Sequence, residues 1–427
     1  MDVIVEGGEV MGEITPPPSK SYTHRAFIAA SLSPSTKIGN PLISGDTVST
    51  LNACLFIGAR FMRDGYWFTF KGIEEINTSG YLNLRNSGTT LRLMMGLTSL
   101  SLSGKFAVLD GDDSLRKRPN LELAEAINRL GARVEGGKEF RAPVRIKGTV
   151  KGGDIVLSAR SSQFVSSLLF TLSLARGNSE IRILSVKSKP YIDITLEVLE
   201  NSGIYVGMEE QNGNIMYYIN GDQRFKLRKF VVPADFSSTG YLIAAGLIGG
   251  EIEIKNAFPS RQGDEIIVDV VREMGGDVRW NRDEGIIRVR KSPLTGIDID
   301  ASNFPDLVPV LSVMAAFAEG ETRIRGIEHL RIKEIDRVEG ILRNLHSLGV
   351  EAKIDNGKNP TITVKGDGYR IFKGNVKSFG DHRMALAFSL FGIAGKVYVE
   401  GAEAVSVSYP GYFDTLRSLG VNVRRVR

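Results

Sequence analysis

Cysteine is almost missing from this chain: Cys54 is the only one in 427 residues. A single thiol can neither close an intramolecular disulfide nor supply a CxxC metal clip, so a disulfide-stapled secreted scaffold is excluded. Histidine is scarce as well. His24, His329, His346 and His382 show neither HExxH spacing nor a Cys/His ligand pattern, and no metal site is expected. Asp110, Asp112 and Asp113 lack the remaining ligand spacing of a calcium loop and read as a turn. Long apolar runs are missing too. The longest, Leu307–Ala318, is shorter than the roughly 18–20 residues that a bilayer span needs. The excess of one charge sign is small: 54 basic against 49 acidic side chains leave a formal net charge of +5, too little to select nucleic acid as a partner. The opening MDVIVEGGEV reads as an acidic strand rather than a signal segment, which with the lone thiol points to a cytoplasmic protein. Nucleotide signatures are also absent. The Lys-Ser of PSKS has no GxxxxG before it and no GxGxxG follows a strand, so neither ATP nor NAD is expected.

What is present is an ordinary globular composition, 42% hydrophobic and 24% charged, in a chain long enough for two or three domains. Its organisation is periodic. Six amphipathic helices stop at a glycine and are followed by a short valine- or isoleucine-bearing strand, at Gly58, Gly131, Gly203, Gly275, Gly349 and Gly420. The gaps are 73, 72, 72, 74 and 71 residues, too regular for six unrelated helix ends. Glycine suits the left-handed residue that closes a helix. Between these lie six other helices with polar openings and nearly continuous apolar bodies, such as LVPVLSVMAAFA and MALAFSLFGIA, which imply burial on most of the circumference. Two helices and about four short strands per unit, six times over, predict an α/β fold with threefold repetition in each of two lobes.

The polar openings carry the chemistry. PPPSKSYTHR holds the chain extended, offers Ser19 or Ser21 as a cap, and sets Lys20 and Arg25 at the positive end of a helix expected over 21–33. This stretch alone serves equally as an anion grip or as a capped helix with solvated cations. LRNSGTTLR places Asn86, Gly88 and Thr89 at a second opening, with Arg92 one turn on. GDDSLRKRP is expected to enter a helix at Pro119 with Arg118 at its mouth. Ser161, Ser162 and Gln163 open another helix, and Ser188, Lys189, Pro190 and Tyr191 the next. In Asn303-Phe304-Pro305-Asp306 the proline sets a helix start, and Asp306 stands where it can stabilise the dipole or accept a proton. Lys333, Glu334 and Arg337 fall at helical offsets on one face, ordinarily a surface ion-pair network. Arg383, in Asp381-His382-Arg383, can clamp a carboxylate or phosphate bidentately.

Taken in order, PSKSYTHR, LRNSGTTLR, RKRP, SSQF, SKPYIDIT, NFPD, KEIDR and GDHRMA resemble the enolpyruvyl transferases, and within them the branch acting on shikimate 3-phosphate. The match spans nearly the whole chain. The resemblance implies a two-lobed, inside-out α/β barrel of six βαβαββ repeats, three per lobe. One lobe would be discontinuous, residues 1–14 plus 233–427, the other 15–232, with the active site in the cleft between them and closure on ligand binding. The implied reaction joins shikimate 3-phosphate to phosphoenolpyruvate without a cofactor.

By motif position, Asp306, Glu334 and Lys20 are the catalytic candidates. Lys20, Ser21, Arg25, Ser161, Ser162, Gln163, Ser188, Tyr191, Asp306, His329 and Lys333 would hold shikimate 3-phosphate. Lys20, Asn86, Gly88, Thr89, Arg92, Arg118, Gln163, Glu334, Arg337 and Arg383 would line the phosphoenolpyruvate side. No metal, nucleic acid or membrane partner is expected, and the chain is expected to act as a monomer. Two departures stand out: His329 replaces the asparagine of many relatives, and Val407 occupies the position where many carry a lysine. The sister transferase that modifies a UDP-linked amino sugar is the nearest alternative, but its loop cysteine has no counterpart in Cys54, which sits in an apolar helix stripe. A nonenzymatic RNA-binding protein is the other alternative, and it lacks interleaved aromatic and basic residues.

Overall fold

A computed structural model describes every residue except 159, 160, 185, 186, 212, 358 and 427. The chain divides into two compact units. Met1–Pro17 joins Pro233–Arg427 in one, and Pro18–Val232 forms the other. Each has its own hydrophobic core.

Among the described residues the strands form six small sheets, three in each unit, built to one plan. In the sheet of Gly80–Asn83, Ala107–Asp110, Val144–Lys147 and Arg133–Glu135, the first two strands are parallel and the other two pairings antiparallel. A parallel pair needs a crossover, and the helix Gly88–Thr98 provides it; the helix Leu121–Arg129 then leads to a hairpin. The remaining sheets repeat this spatial arrangement of one parallel and two antiparallel pairings, one with an extra short edge strand. Three joins are made across long stretches of sequence. Val3–Glu6 pairs with Gly395–Glu400 and Val423–Arg425, Val10–Ile14 runs parallel to Gly250–Ile254, and Lys229–Val231 runs parallel to Thr36–Gly39.

The two helix types pack as their patterns require. All ten residues of Val308–Phe317 are buried, as are Phe236 to Ile248 of the helix Phe236–Gly249, whereas Leu121–Arg129 buries only Leu123, Ala124, Ala126 and Ile127. The helix-ending glycines have positive φ in all six repeats, from +69° at Gly349 to +106° at Gly131. A side chain there is strained, which is why the same residue recurs at each stop.

Several boundaries differ from the sequence-based expectation. The first helix is Lys20–Ser31, with Ser19 rather than Ser21 as its cap. Pro119 does not open a helix: Asn120 is the N-cap and Leu121 the first helical residue. Pro305 begins a 3-10 turn, Pro305–Leu307, that leads into the α-helix. Lys333, Glu334 and Arg337 do not share a helical face. The side chain of Asp336 accepts from the Glu339 amide and starts the helix at Arg337, leaving Lys333 and Glu334 in the preceding loop.

Candidate active site

In the unit Pro18–Val232, helix N-termini gather cations. Arg25 is 2% exposed, yet among the described residues it meets no carboxylate. Its guanidinium donates to the Thr195 hydroxyl at 2.6 Å, the carbonyls of Ser21 and Tyr191 at 2.9 and 3.0 Å, and the Ser166 hydroxyl at 3.3 Å. Burial lowers its pKa to about 10, which still leaves it charged at neutral pH. A buried cation held only by neutral acceptors is short of negative charge, and a phosphate supplies it. Ser188, buried with φ +60°, precedes Tyr191 at this helix start, and its carbonyl accepts the Tyr191 amide. Lys20 lies nearby in sequence, 3.1 Å from Asp46.

A second cluster joins three helix starts. Arg92 donates to Gln163 Oε1 at 2.5 Å and to Asn120 Oδ1 at 3.1 Å, and the Gln163 amide donates to the Thr89 hydroxyl at 2.9 Å. Ser161 caps this third helix, its hydroxyl accepting from the Gln163 backbone N–H, and Ser162 is its buried first residue. Arg118, 7% exposed, donates to Asn86 and, at 3.4 Å, to Ser114, again with no carboxylate among the described residues. Gly88 explains itself here. A Cβ on it would stand 2.7 Å from Arg118 Nη1 and 3.2 Å from Arg92 Nη1, so glycine lets both guanidiniums lie over the helix start without shifting.

In the other unit the candidates converge on Asp306. Its carboxylate accepts from Arg337 at 2.8 Å and Arg383 at 2.7 Å, with Lys333 Nζ 3.7 Å away. Arg337 is the hub and is 1% exposed. Its three nitrogens go to Asp306, to Glu334 at 2.7 Å and to Asp381 at 2.7 Å. The expected surface network is therefore a buried one, because the Asp336 cap turns the chain inward just before Arg337. Burial, partly offset by Asp306, holds Lys333 below the ordinary lysine range. Arg383 sits at the start of the helix His382–Ser389, whose N-cap is Asp381. His329 is buried in the 3-10 turn Glu328–Ile332, just before Lys333. Tyr241, one turn into the helix Phe236–Gly249, is buried near Arg383, and its hydroxyl is pushed up to about 12.

Sequence reasoning missed several of these contributors. Asp381 stands out in sequence only as part of a charged helix start, and Thr195 only as the end of SKPYIDIT, while Asp46, Asn120, Ser166 and Asp264 belong to no recognisable string. Their partners lie 26 to 170 residues away, so only folding reveals them. Val407 ends the 3-10 turn Ala402–Val407, half-buried. Cys54 is buried among core residues and its thiol is pushed up to about 12, the environment of an inert packing residue rather than a loop nucleophile. Among the described residues there is no acidic, histidine or cysteine cluster that could hold a metal ion, and no helix long and apolar enough to cross a membrane.

A profile of the EPSP synthase (3-phosphoshikimate 1-carboxyvinyltransferase) family matches residues 4–416. The chain belongs to this family. The 3-phosphoshikimate 1-carboxyvinyltransferase of Archaeoglobus fulgidus is 57% identical over 427 residues, covering 100% of both chains. That of Methanococcoides burtonii is 39% identical, covering 99% of each. Among solved structures, the EPSP synthase of Acinetobacter baumannii superimposes with a TM-score of 0.83 at 25% identity, covering 100% of both chains. Six small sheets in two units are thus the two-lobed enolpyruvyl transferase fold.

Proposed function

We propose that this chain transfers the enolpyruvyl group of phosphoenolpyruvate to the 5-hydroxyl of shikimate 3-phosphate and releases inorganic phosphate, acting as a cytoplasmic monomer without a cofactor. Family membership over residues 4–416 makes this the expected reaction. The observation that carries it is the division of charge: Arg25 and Arg118 are buried cations that meet no carboxylate among the described residues, while Asp306 is a carboxylate ringed by Arg337, Arg383 and Lys333. The first arrangement suits polyanionic substrates and the second a proton acceptor.

In this reading Arg25, Ser21, Ser188, Tyr191 and the Ser161–Gln163 helix start hold shikimate 3-phosphate. His329 and Lys333 add to that side. Asn86, Gly88, Thr89, Arg92, Arg118, Arg337 and Arg383 serve phosphoenolpyruvate. Asp306 takes the proton as the 5-oxygen bonds to the central enol carbon, and Glu334 or Lys20 delivers one to the methylene. From the tetrahedral intermediate the carbon–oxygen bond to phosphate then breaks, and a methyl proton leaves to restore the double bond. Atoms balance with no redox partner.

Purified protein given both substrates should release phosphate, and omission of either should abolish it. Release from phosphoenolpyruvate alone, or only with a UDP-linked amino sugar, would contradict the reading. Within it, Arg25→Ala should raise KM for shikimate 3-phosphate about 10- to 100-fold, the worth of one or two charge-assisted hydrogen bonds in a dry site, while KM for phosphoenolpyruvate changes far less. Steady-state kinetics varying each substrate separately measures this split.

A further inference from the structure

Asp264 has no part in the scheme above, yet its surroundings are unusual. It lies in the 3-10 turn Gly263–Ile266, 5% exposed. Ser237, in the first turn of the helix Phe236–Gly249, donates its hydroxyl to Oδ2, while Oδ1 is buried with no hydrogen-bond partner among the described residues. Charged groups face this carboxyl from three elements: Asp306 from the turn Pro305–Leu307, Arg383 from the helix His382–Ser389, and Asp235 from the N-cap position beside Ser237. A carboxylate with one oxygen dry and unpaired is costly, and two neighbouring carboxylates repel it. The neutral acid avoids both penalties. Burial, then Asp306, raises its pKa to about 7.

We propose that Asp264 is a positioning residue for the Asp306–Arg383 pair, carrying a proton in the working enzyme so that it adds no negative charge of its own to the field around that pair. The proposal rests on the enolpyruvyl-transfer reading. With Asp264 neutral, Arg383 holds Asp306 at 2.7 Å and keeps positive field to offer an anion. Loss of the Asp264 proton brings a second negative charge beside a group that has to receive phosphoenolpyruvate. The consequence falls on anion capture, so kcat/KM for phosphoenolpyruvate declines as pH rises through this ionisation while kcat holds. Asparagine at 264 keeps the shape and cannot ionise.

The test is the pH profile of phosphate release for the wild type and Asp264→Asn from about pH 6 to about pH 8.5. The wild-type kcat/KM for phosphoenolpyruvate should fall about tenfold across this range with kcat changing less than about twofold, and the variant should lack the falling limb. A variant profile that falls like the wild type's overturns the proposal. Ser237→Ala provides an independent check should Asp264→Asn fail to fold. It removes the hydrogen bond that favours the ionised form, so the limb should move to higher pH, and an unmoved limb also overturns the proposal. A wild type that releases no phosphate from the two substrates defeats the functional reading instead, and the proposal with it; that failure shows in the unmodified enzyme and cannot be confused with a variant's profile.

Discussion

Asp306→Asn should fold and lose about 10²- to 10⁴-fold in kcat, the usual contribution of a positioned general base. The amide keeps the size of the carboxylate and one oxygen for the guanidiniums of Arg337 and Arg383, which approach to 2.8 and 2.7 Å. What it loses is the ability to take a proton from the 5-hydroxyl. Because Arg383 and Lys333 are released from a full negative charge, KM for phosphoenolpyruvate should not rise. The loss therefore belongs in kcat, as for a group whose interaction is made in the transition state. Steady-state kinetics beside a thermal melt separates this from the alternative: were Asp306 only the glue of an ion-pair cluster, the variant would melt earlier and turn over normally.

Arg337→Leu should cost about 3–5 kcal/mol of stability, the penalty for removing one partner from a buried charge cluster. Arg337 is 1% exposed and Asp381 0%, so the cluster is largely out of water. Leucine fills part of the volume but leaves Asp381 and Glu334 without the contacts they make at 2.7 Å, and Asp306 with one cation fewer. Burial lowers the pKa of a guanidinium, but the three carboxylates outweigh it and hold Arg337 above the ordinary arginine range, so its charge is secure. Denaturant unfolding should show the loss as a lower midpoint with an unchanged slope. Pairing this change with Asp381→Asn should recover part of it, because the second substitution removes a stranded carboxylate. A single variant within about 1 kcal/mol of wild type would mean that Arg337 is not the hub of the cluster.

The repeat was legible because its signal is local. A helix stop needs a left-handed residue, glycine supplies it most cheaply, and all six such glycines have positive φ. The cations at the helix openings were legible for a similar reason, since Lys20, Arg92 and Arg383 each stand within a turn or so of a helix start. What those cations touch was not. Arg25 reaches Thr195 across 170 residues and Arg383 reaches Asp306 across 77, contacts that no helical period encodes. The KEIDR string misled through the same gap. Offsets of three and four suggest one helical face, but a cap at Asp336 redirects the chain, and the cluster that forms is buried. Asp264 was invisible because nothing around it in sequence foretells a dry carboxyl.

Attack of the 5-hydroxyl on the enol carbon of phosphoenolpyruvate requires that the carbon–oxygen bond to phosphate, not the phosphorus–oxygen bond, is the one that breaks. Phosphoenolpyruvate carrying heavy oxygen at the bridging position tests it most directly, with the released phosphate read by mass spectrometry in the presence of shikimate 3-phosphate. Every released phosphate should carry the label, and the enol ether product should carry none. Unlabelled phosphate, with the heavy oxygen retained on the three-carbon fragment, would mean phosphorus–oxygen cleavage and would contradict the account.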